Sequence, residues 1–516
     1  MTSDAGVKMK RASIHLFICL TTLVMLPACD NGFDELNISK TSPTTMDPAF
    51  LLNNAIVLSS FPLEIIVFEL PIVQQIVTPF GGVLGGGNFN QDNKPRNGAN
   101  WVRYYRDVMK SLADVMNASR EDDAMSNLYQ SARILRAFGS MILTDSYGDI
   151  PYSEAGLGYI AGVSLPKYDA QQAIYADILS ELEQACAALD PAKPTVTTDV
   201  LYAGDVALWK SFGYSLMLRA AMRLSKVDAE TAKTYVAKAV AGGVISSNLG
   251  SAQVRHSSLY NNAVGNFVNS AEANNYYLAA PFVNYLKANN DPRLKSIAVR
   301  YVGAASGPQQ TPAAANFDPA VQVGMPMGYD NGTIVARATA DGLASFYDYS
   351  QLDRFRMGKI DAPCYLVSHA QTKLLLAEAV FRGWTTGDAA ALYEQAIRAH
   401  MLEMTTYSTS SAVAIADIDA YVAAHPLHPG NAMDDINTQY WVVSFLNGPE
   451  AFANFRRTGY PALDPNPYPG KDISGNFIRK LTYPDTELGI NVANVQEAIS
   501  RQGGNSLETR VWWDVE

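Results

Sequence analysis

The chain has 516 residues and a formal net charge of −11, with hydrophobic residues making up 48% of it. That acidic balance excludes a nucleic-acid partner, whose phosphates need Lys and Arg to neutralise them, and excludes docking on anionic lipid by charge alone. The length allows one large domain or up to three small ones.

The first element predicted is a leader. Lys8, Lys10 and Arg11 precede a run from Ala12 to Leu26 that lacks Asp, Glu, Lys and Arg, of signal-peptide length and too short to span a bilayer. A start at Met9 would put the basic residues at its front. Leu26-Pro27-Ala28-Cys29 has the form of a bacterial lipobox, so residues 1–28 are expected to be a lipoprotein signal peptide and Cys29 the lipidated residue; two or three acyl chains on it would anchor the protein stably. An ordinary secretory peptide with a chance cysteine is the alternative, and either way the mature chain is exported. Residues 29–48, polar and rich in Ser, Thr and Pro, read as a tether. Residues 49–516 then read as a single domain, in which no second run of 18 uninterrupted apolar residues appears.

Next comes a glycine-rich stretch, "GGVLGGGNFN" (81–90). It lacks the Lys-Ser/Thr of a P-loop and the spacing of a dinucleotide motif. Backbone at such glycines can approach a ligand closely, and Asn88 and Phe89 add an amide and a ring. Trp101 lies nearby as a ligand candidate, while the helical spacing of Tyr104 fits core packing.

Beyond the tether, the strongest periodicity is helical. Leu128, Ala132, Leu135, Gly139 and Ile142 keep 3–4 spacing, as do Leu366, Ala370, Leu374, Ala377 and Phe381. The helices come in pairs: 124–146 with 169–189, 204–228 with 229–243, 362–384 with 387–401, and a shorter pair over 434–457. Asp228 is placed as an N-cap and Gly242–Gly243 as a stop. Between the first two helices, "YGDIPY" (147–152) reads as a structural corner, with Gly148 at a turn and Pro151 stiffening the exit. Cys186 lies on the apolar stripe Leu179–Leu182–Cys186–Leu189, which predicts a buried thiol; pairing with Cys364 is a second possibility in an exported chain. Arg219, Arg223 and Lys226 share one helical face and are expected to form a solvated stripe, and Arg456–Arg457 are likewise not expected to touch a ligand. "HPLH" (425–428) lacks further ligands at metal-binding spacing. Helix pairs of this kind cannot bury their apolar faces alone, and stack into arrays as tetratricopeptide units do.

Residues 244–360 break the pattern, being rich in Asn, Gly, Pro and Tyr. Long irregular segments on a rigid scaffold tend to carry function. Sugars present apolar C–H faces ringed by hydroxyls, so a site for them wants flat aromatics beside amide and carboxylate groups. "EANNYYLAAPF" (272–282) and "SFYDYSQLDRF" (345–355) have that composition. From this region Asn274, Asn275, Tyr276, Tyr277, Tyr329, Tyr347, Asp348 and Tyr349 are candidate ligand-binding residues.

Several segments in order resemble one family. "SARILRAFGSMILTDSYGDIPYSEAG" (131–156), "GDVALWKSFGYSLMLRAAMRLSKVD" (204–228), "PCYLVSHAQTKLLLAEAVFRGW" (363–384), "GPEAFANFRRTGYPAL" (448–463) and the closing "IRKLTYPDTELGINVANVQEAI…RVWWD" are similar to the signature stretches of SusD/RagB-type nutrient-binding lipoproteins. The resemblance implies a mostly α, SusD-like fold, with about four tetratricopeptide-like helix pairs supporting a loop-rich face. It implies a lipoprotein on the outer membrane that captures oligosaccharide, glycan or peptide for a SusC-type TonB-dependent β-barrel transporter, without catalysis and without a cofactor. The acids Asp30, Asp34 and Glu35 resemble the export signal of such lipoproteins. Two rivals remain open: a surface glycoside hydrolase using an unidentified carboxylate pair, and a helical adaptor that binds no ligand.

Overall fold

Capping chemistry sets where the helices begin. The computed structural model describes residues 46–516; the leader, Cys29 and most of the tether lie outside the described residues. Within them run α1 (Pro48–Leu58), α2 (Lys110–Ser119), α3 (Ser126–Tyr147), α4 (Gln171–Ala188), α5 (Val206–Arg223), α6 (Ala229–Gly242), α7 (Ala280–Ala288), α8 (His369–Phe381), α9 (Ala389–Glu403), α10 (Ile415–Ala424), α11 (Ala432–Val443), α12 (Gly448–Thr458) and α13 (Val492–Gln502). The Asp205 side chain accepts from Leu208 N to start α5, and Asp228 from Thr231 N to start α6. Ser368 and Gln371 form a reciprocal capping box at α8, satisfying donors that the first turn would otherwise leave unpaired.

The helices pack as sequential pairs, α3 on α4, α5 on α6, α8 on α9 and α11 on α12, with α4 against α5 and α8 against α11 joining one pair to the next. One apolar cluster runs through this array, each fully buried Leu, Ile or Phe contributing roughly 1.5–3 kcal/mol by leaving water. Residues 48–66 have the mean hydropathy of a membrane span, 1.6. Their helix nonetheless ends at Leu58, and half of the stretch is buried against the rest of the fold.

One expectation changes. Arg219 and Arg223 do not form a solvated stripe: both are buried, and only Lys226 of that trio is exposed. Arg223 Nη2 donates to Glu450 Oε2 at 2.5 Å and its Nε to Asp145 Oδ2 at 3.2 Å, while Arg219 stands 3.4 Å from Glu450. Helical spacing places residues on a face but does not say what covers it; here α12 and the end of α3 do. Cys186 is a buried free thiol, as its apolar stripe predicts, and Cys364 is buried and free too, so the alternative pairing of the two does not form.

Residues 244–360 are irregular, as expected, but ordered by short pairings. Tyr277–Leu278 pairs antiparallel with Ile76–Val77, and Ala298–Tyr301 is flanked by Ala315–Asn316 and Gln351–Leu352. Two small apolar clusters lie here, one around Tyr277, Met325 and Tyr349, the other around Val299 and Tyr301.

Candidate functional site

The pairing of Ile76–Val77 with Tyr277–Leu278 ties the glycine-rich stretch to the irregular region. Phe80 leaves the first strand and meets Phe346 edge-on, with ring centroids 6.0 Å apart. Phe346 also packs on Tyr277 at 6.4 Å and on Tyr347 at 4.2 Å. Tyr276 Oη donates to Leu84 O at 3.2 Å, and Tyr277 Oη to Asn274 O at 2.7 Å. Segments some 190 and 70 residues apart in the chain are thus assembled around one aromatic group.

Phe80, Phe346 and Tyr347 are half-buried, and so are Asn274 and Asn275. The three rings, linked through Phe346, form the candidate platform. It is held from below: Asp348 is buried and accepts from Arg300 Nε at 2.9 Å and Gly303 N at 3.0 Å, Ser345 Oγ donates to Ala304 O at 2.8 Å, and Gln310 Nε2 donates to Tyr347 O at 2.7 Å. Asn275 Nδ2 is tied to Glu272, and Asn274 packs against Gly307, where any side chain would collide with its amide.

The other sequence candidates fall elsewhere or underneath. Asn88 is buried and donates to Thr78 O at 2.8 Å, and Phe89 is buried against Tyr468 with centroids 4.5 Å apart. Tyr276, Tyr277 and Tyr349 are buried; Tyr349 Oη donates to Asp341 Oδ2 at 2.6 Å. Tyr329 is half-buried beside the Arg337 guanidinium, 5.8 Å from its ring centroid. Trp101 joins a separate internal cluster with Tyr105, Tyr147, Tyr168 and Tyr483. In this aromatic-rich region roughly half of the rings form the small cores that hold the surface ones in place. Phe80 and Phe346 are not among the sequence candidates; an aromatic directly before a Gly-Gly pair, and one beside Tyr347, are the available signals.

A larger concavity of about 550 Å³ lies on another surface, between Pro62, Pro95, Gly98, Arg103 and Pro484. It lacks an aromatic wall, and its charged rim is largely self-satisfied, through Arg96–Glu64 at 2.8 Å, Lys94–Asp92 at 2.9 Å and Arg106–Asp107 at 2.6 Å. The platform is therefore the better candidate for a sugar-like ligand. The motif residues are not part of it. "YGDIPY" is a corner in which Gly148 adopts φ +84° and Asp149 Oδ1 caps α4 by accepting from Gln171 N at 2.8 Å. In "HPLH", His425 bonds Tyr421 O and His428 bonds Asp435. Among the described residues no group of three or more His, Cys, Asp or Glu is placed to hold a metal.

Stacked helix pairs supporting an irregular, aromatic-rich region are the architecture of this chain. The chain belongs to the SusD-like family: a family profile described as starch-binding associating with outer membrane matches residues 41–484. Among solved structures, a chitin-binding protein is 30% identical with a TM-score of 0.80, covering 91% of this chain and 100% of its own. A Bacteroidetes AC2a SusD-like protein is 28% identical over the same shares, with a TM-score of 0.80. A chitin-binding SusD homolog from Flavobacterium johnsoniae is 26% identical with a TM-score of 0.73, covering 91% and 98%. A comparison with curated protein sequences gives no significant match. The protein thus belongs to a family of outer-membrane-associated binding proteins rather than enzymes.

Proposed function

We propose that the protein captures an oligosaccharide at the Phe80–Phe346–Tyr347 platform and passes it to a SusC-type TonB-dependent transporter in the same membrane, held there by lipid on Cys29. The observation that carries this reading is the pair of half-buried rings of Phe346 and Tyr347, 4.2 Å apart and braced by the bonds around Ser345 and Asp348. Rigid aromatics bind a sugar face with little loss of side-chain entropy. In this reading the half-buried Asn274 and Asn275 supply amides that hydrogen-bond hydroxyl or acetamido groups. The chitin-binding relatives make N-acetylglucosamine oligosaccharides the first ligand to try; other glycans come next, and peptides are the second class.

Affinity electrophoresis of the purified chain against a polysaccharide panel, with chitin oligosaccharides and peptides tested by calorimetry, checks the reading. One glycan should retard the protein, and Tyr347→Ala should weaken binding by about 5- to 30-fold, an aromatic contact contributing about 1–2 kcal/mol. Tyr349→Phe, in the core beneath, serves as the control and should keep affinity. Retardation unchanged by Tyr347→Ala and Phe346→Ala would move the site elsewhere, the concavity beside Pro484 being the next candidate.

A further inference from the structure

A cation beside the platform has no acid to answer it. Arg354 follows the Gln351–Leu352 strand and is half-buried. Its Nη2 donates to Gln351 Oε1 at 2.7 Å and to Ala273 O at 3.3 Å. Nε is enclosed without an acceptor, whereas Nη1 bonds no protein group among the described residues and reaches the surface. The Tyr301 ring centroid lies 5.3 Å from the guanidinium carbon, and the Tyr301 hydroxyl is likewise enclosed without a hydrogen bond.

These contacts bring Arg354 to the platform's surroundings from two sides. Tyr301 belongs to the small cluster on which Tyr347 packs. Ala273 directly precedes Asn274, whose side-chain amide makes no hydrogen bond among the described residues. The acids of this region are committed elsewhere. Asp348 pairs with Arg300 at 2.9 Å, Asp353 with Arg356 at 3.1 Å and Asp341 with Arg337 at 2.9 Å, while Glu272 accepts from the Asn275 amide. Arg354 is left with unspent donors and no counter-charge. A guanidinium only donates and stays charged, so its best partner is a strong, planar acceptor oxygen. Sugar hydroxyls are neutral and adaptable; an acyl substituent supplies such an oxygen.

We propose, given capture of a sugar at the platform as above, that Arg354 sets specificity there and that the ligand is an oligosaccharide bearing acyl oxygens, either acetamido carbonyls or uronate carboxylates. With a sugar face on Tyr347, an acyl group on the Asn274 side accepts from Arg354 Nη1. A carboxylate there also neutralises the guanidinium. An acetamido group offers, besides its carbonyl, an N–H that the Asn274 amide oxygen accepts. A glucan with hydroxyls alone supplies neither.

Calorimetry of the purified full chain compares cellohexaose, chitohexaose and the hexaose of glucuronic acid with the same linkage. One acyl-bearing hexaose should bind at least about tenfold more tightly than cellohexaose, as expected of a hydrogen bond from a charged donor. Arg354→Met should cut that preference to within about threefold. A side chain that only braced residues 273–276 would lower all three affinities alike, so a uniform loss overturns the proposal. Preferred binding that weakens as NaCl is raised assigns the carboxylate, and binding indifferent to salt assigns the acetamido group. Equal wild-type affinities for the three hexaoses, or a preferred glycan in the polysaccharide panel that carries neither group, overturns the role of Arg354 and leaves the platform standing. Absence of all glycan binding, or affinity indifferent to Tyr347→Ala, removes the platform and the role of Arg354 together. If Arg354→Met does not fold, Arg354→Lys takes its place. A point charge without the planar fork should lose about threefold of the preference, and an unchanged preference rejects Arg354.

Discussion

The charged residues most visible in the sequence act inside the protein. Arg457 donates to Glu378 through Nη1 at 2.6 Å and Nη2 at 2.7 Å, and both are buried. Arg223 joins Asp145 to Glu450; Tyr175 and Trp513 also donate to Asp145, and Tyr440 donates to Glu450. Removing one member leaves the other as an uncompensated buried charge, which costs far more than an exposed ion pair is worth. These pairs also set a pH dependence of definite sign. Burial raises the Glu378 carboxyl, but Arg457 and Arg382 overcome that and hold it at about 2. Its stabilisation is therefore complete above the unfolded value near 4.5 and is lost as pH falls toward 2. Chemical unfolding between pH 7 and pH 3 should show a loss of a few kcal/mol, of which about 1–3 kcal/mol disappears in Glu378→Gln. An unchanged acid slope in that variant would assign the loss to other carboxylates.

At the scale of the element, the helices are legible in the sequence because their apolar spacing and their caps agree. Asp228 and Gly242–Gly243 bound α6 as expected, and the four pairs occur close to where periodicity puts them. The exception is α8, which starts at His369 rather than 362, because Cys364–Val367, with Leu366 of the predicted stripe, is a strand paired with Ala252–Val254. What covers a helix face is non-local, so the burial of Arg219 and Arg223 under α12 cannot be read from α5 alone. Close approach obeys the same logic. Gly213 in α5 faces α4 and α3, and an added Cβ would overlap Cys186 Sγ and lie 3.1 Å from Ile134 Cδ1. Gly213→Ala improves helix propensity by about 1 kcal/mol yet should destabilise the protein overall, because overpacking costs about 1–3 kcal/mol. Denaturant midpoints should show Cys186→Ala recovering part of that loss, a coupling expected of touching residues. Additive losses in the double variant would mean that α5 relaxes without touching Cys186.

For the whole molecule, the platform is only partly legible for a related reason. Composition locates the segments at 81–90, 272–282 and 345–355, whereas the strand pairing and the two small clusters decide which rings face out. Tyr347 comes forward and Tyr276, Tyr277 and Tyr349 go inward, a choice that alternation alone does not make in short irregular strands. The proposed capture would also depend on where the platform is held. Residues 30–47 would extend at most about 60 Å, enough for the folded unit to remain anchored while a ligand is exchanged with a neighbouring barrel. If Cys29 carries the lipid, Cys29→Ser should shift the protein from the membrane to the soluble fraction, with oligosaccharide affinity in solution unchanged. Uptake of the same oligosaccharide by cells should fall, because release removes the high effective concentration that a shared membrane supplies. Full membrane retention of Cys29→Ser would rule out lipid on that sulfur as the necessary anchor. Retention that persisted only in cells containing the transporter would instead show the barrel itself holding the protein.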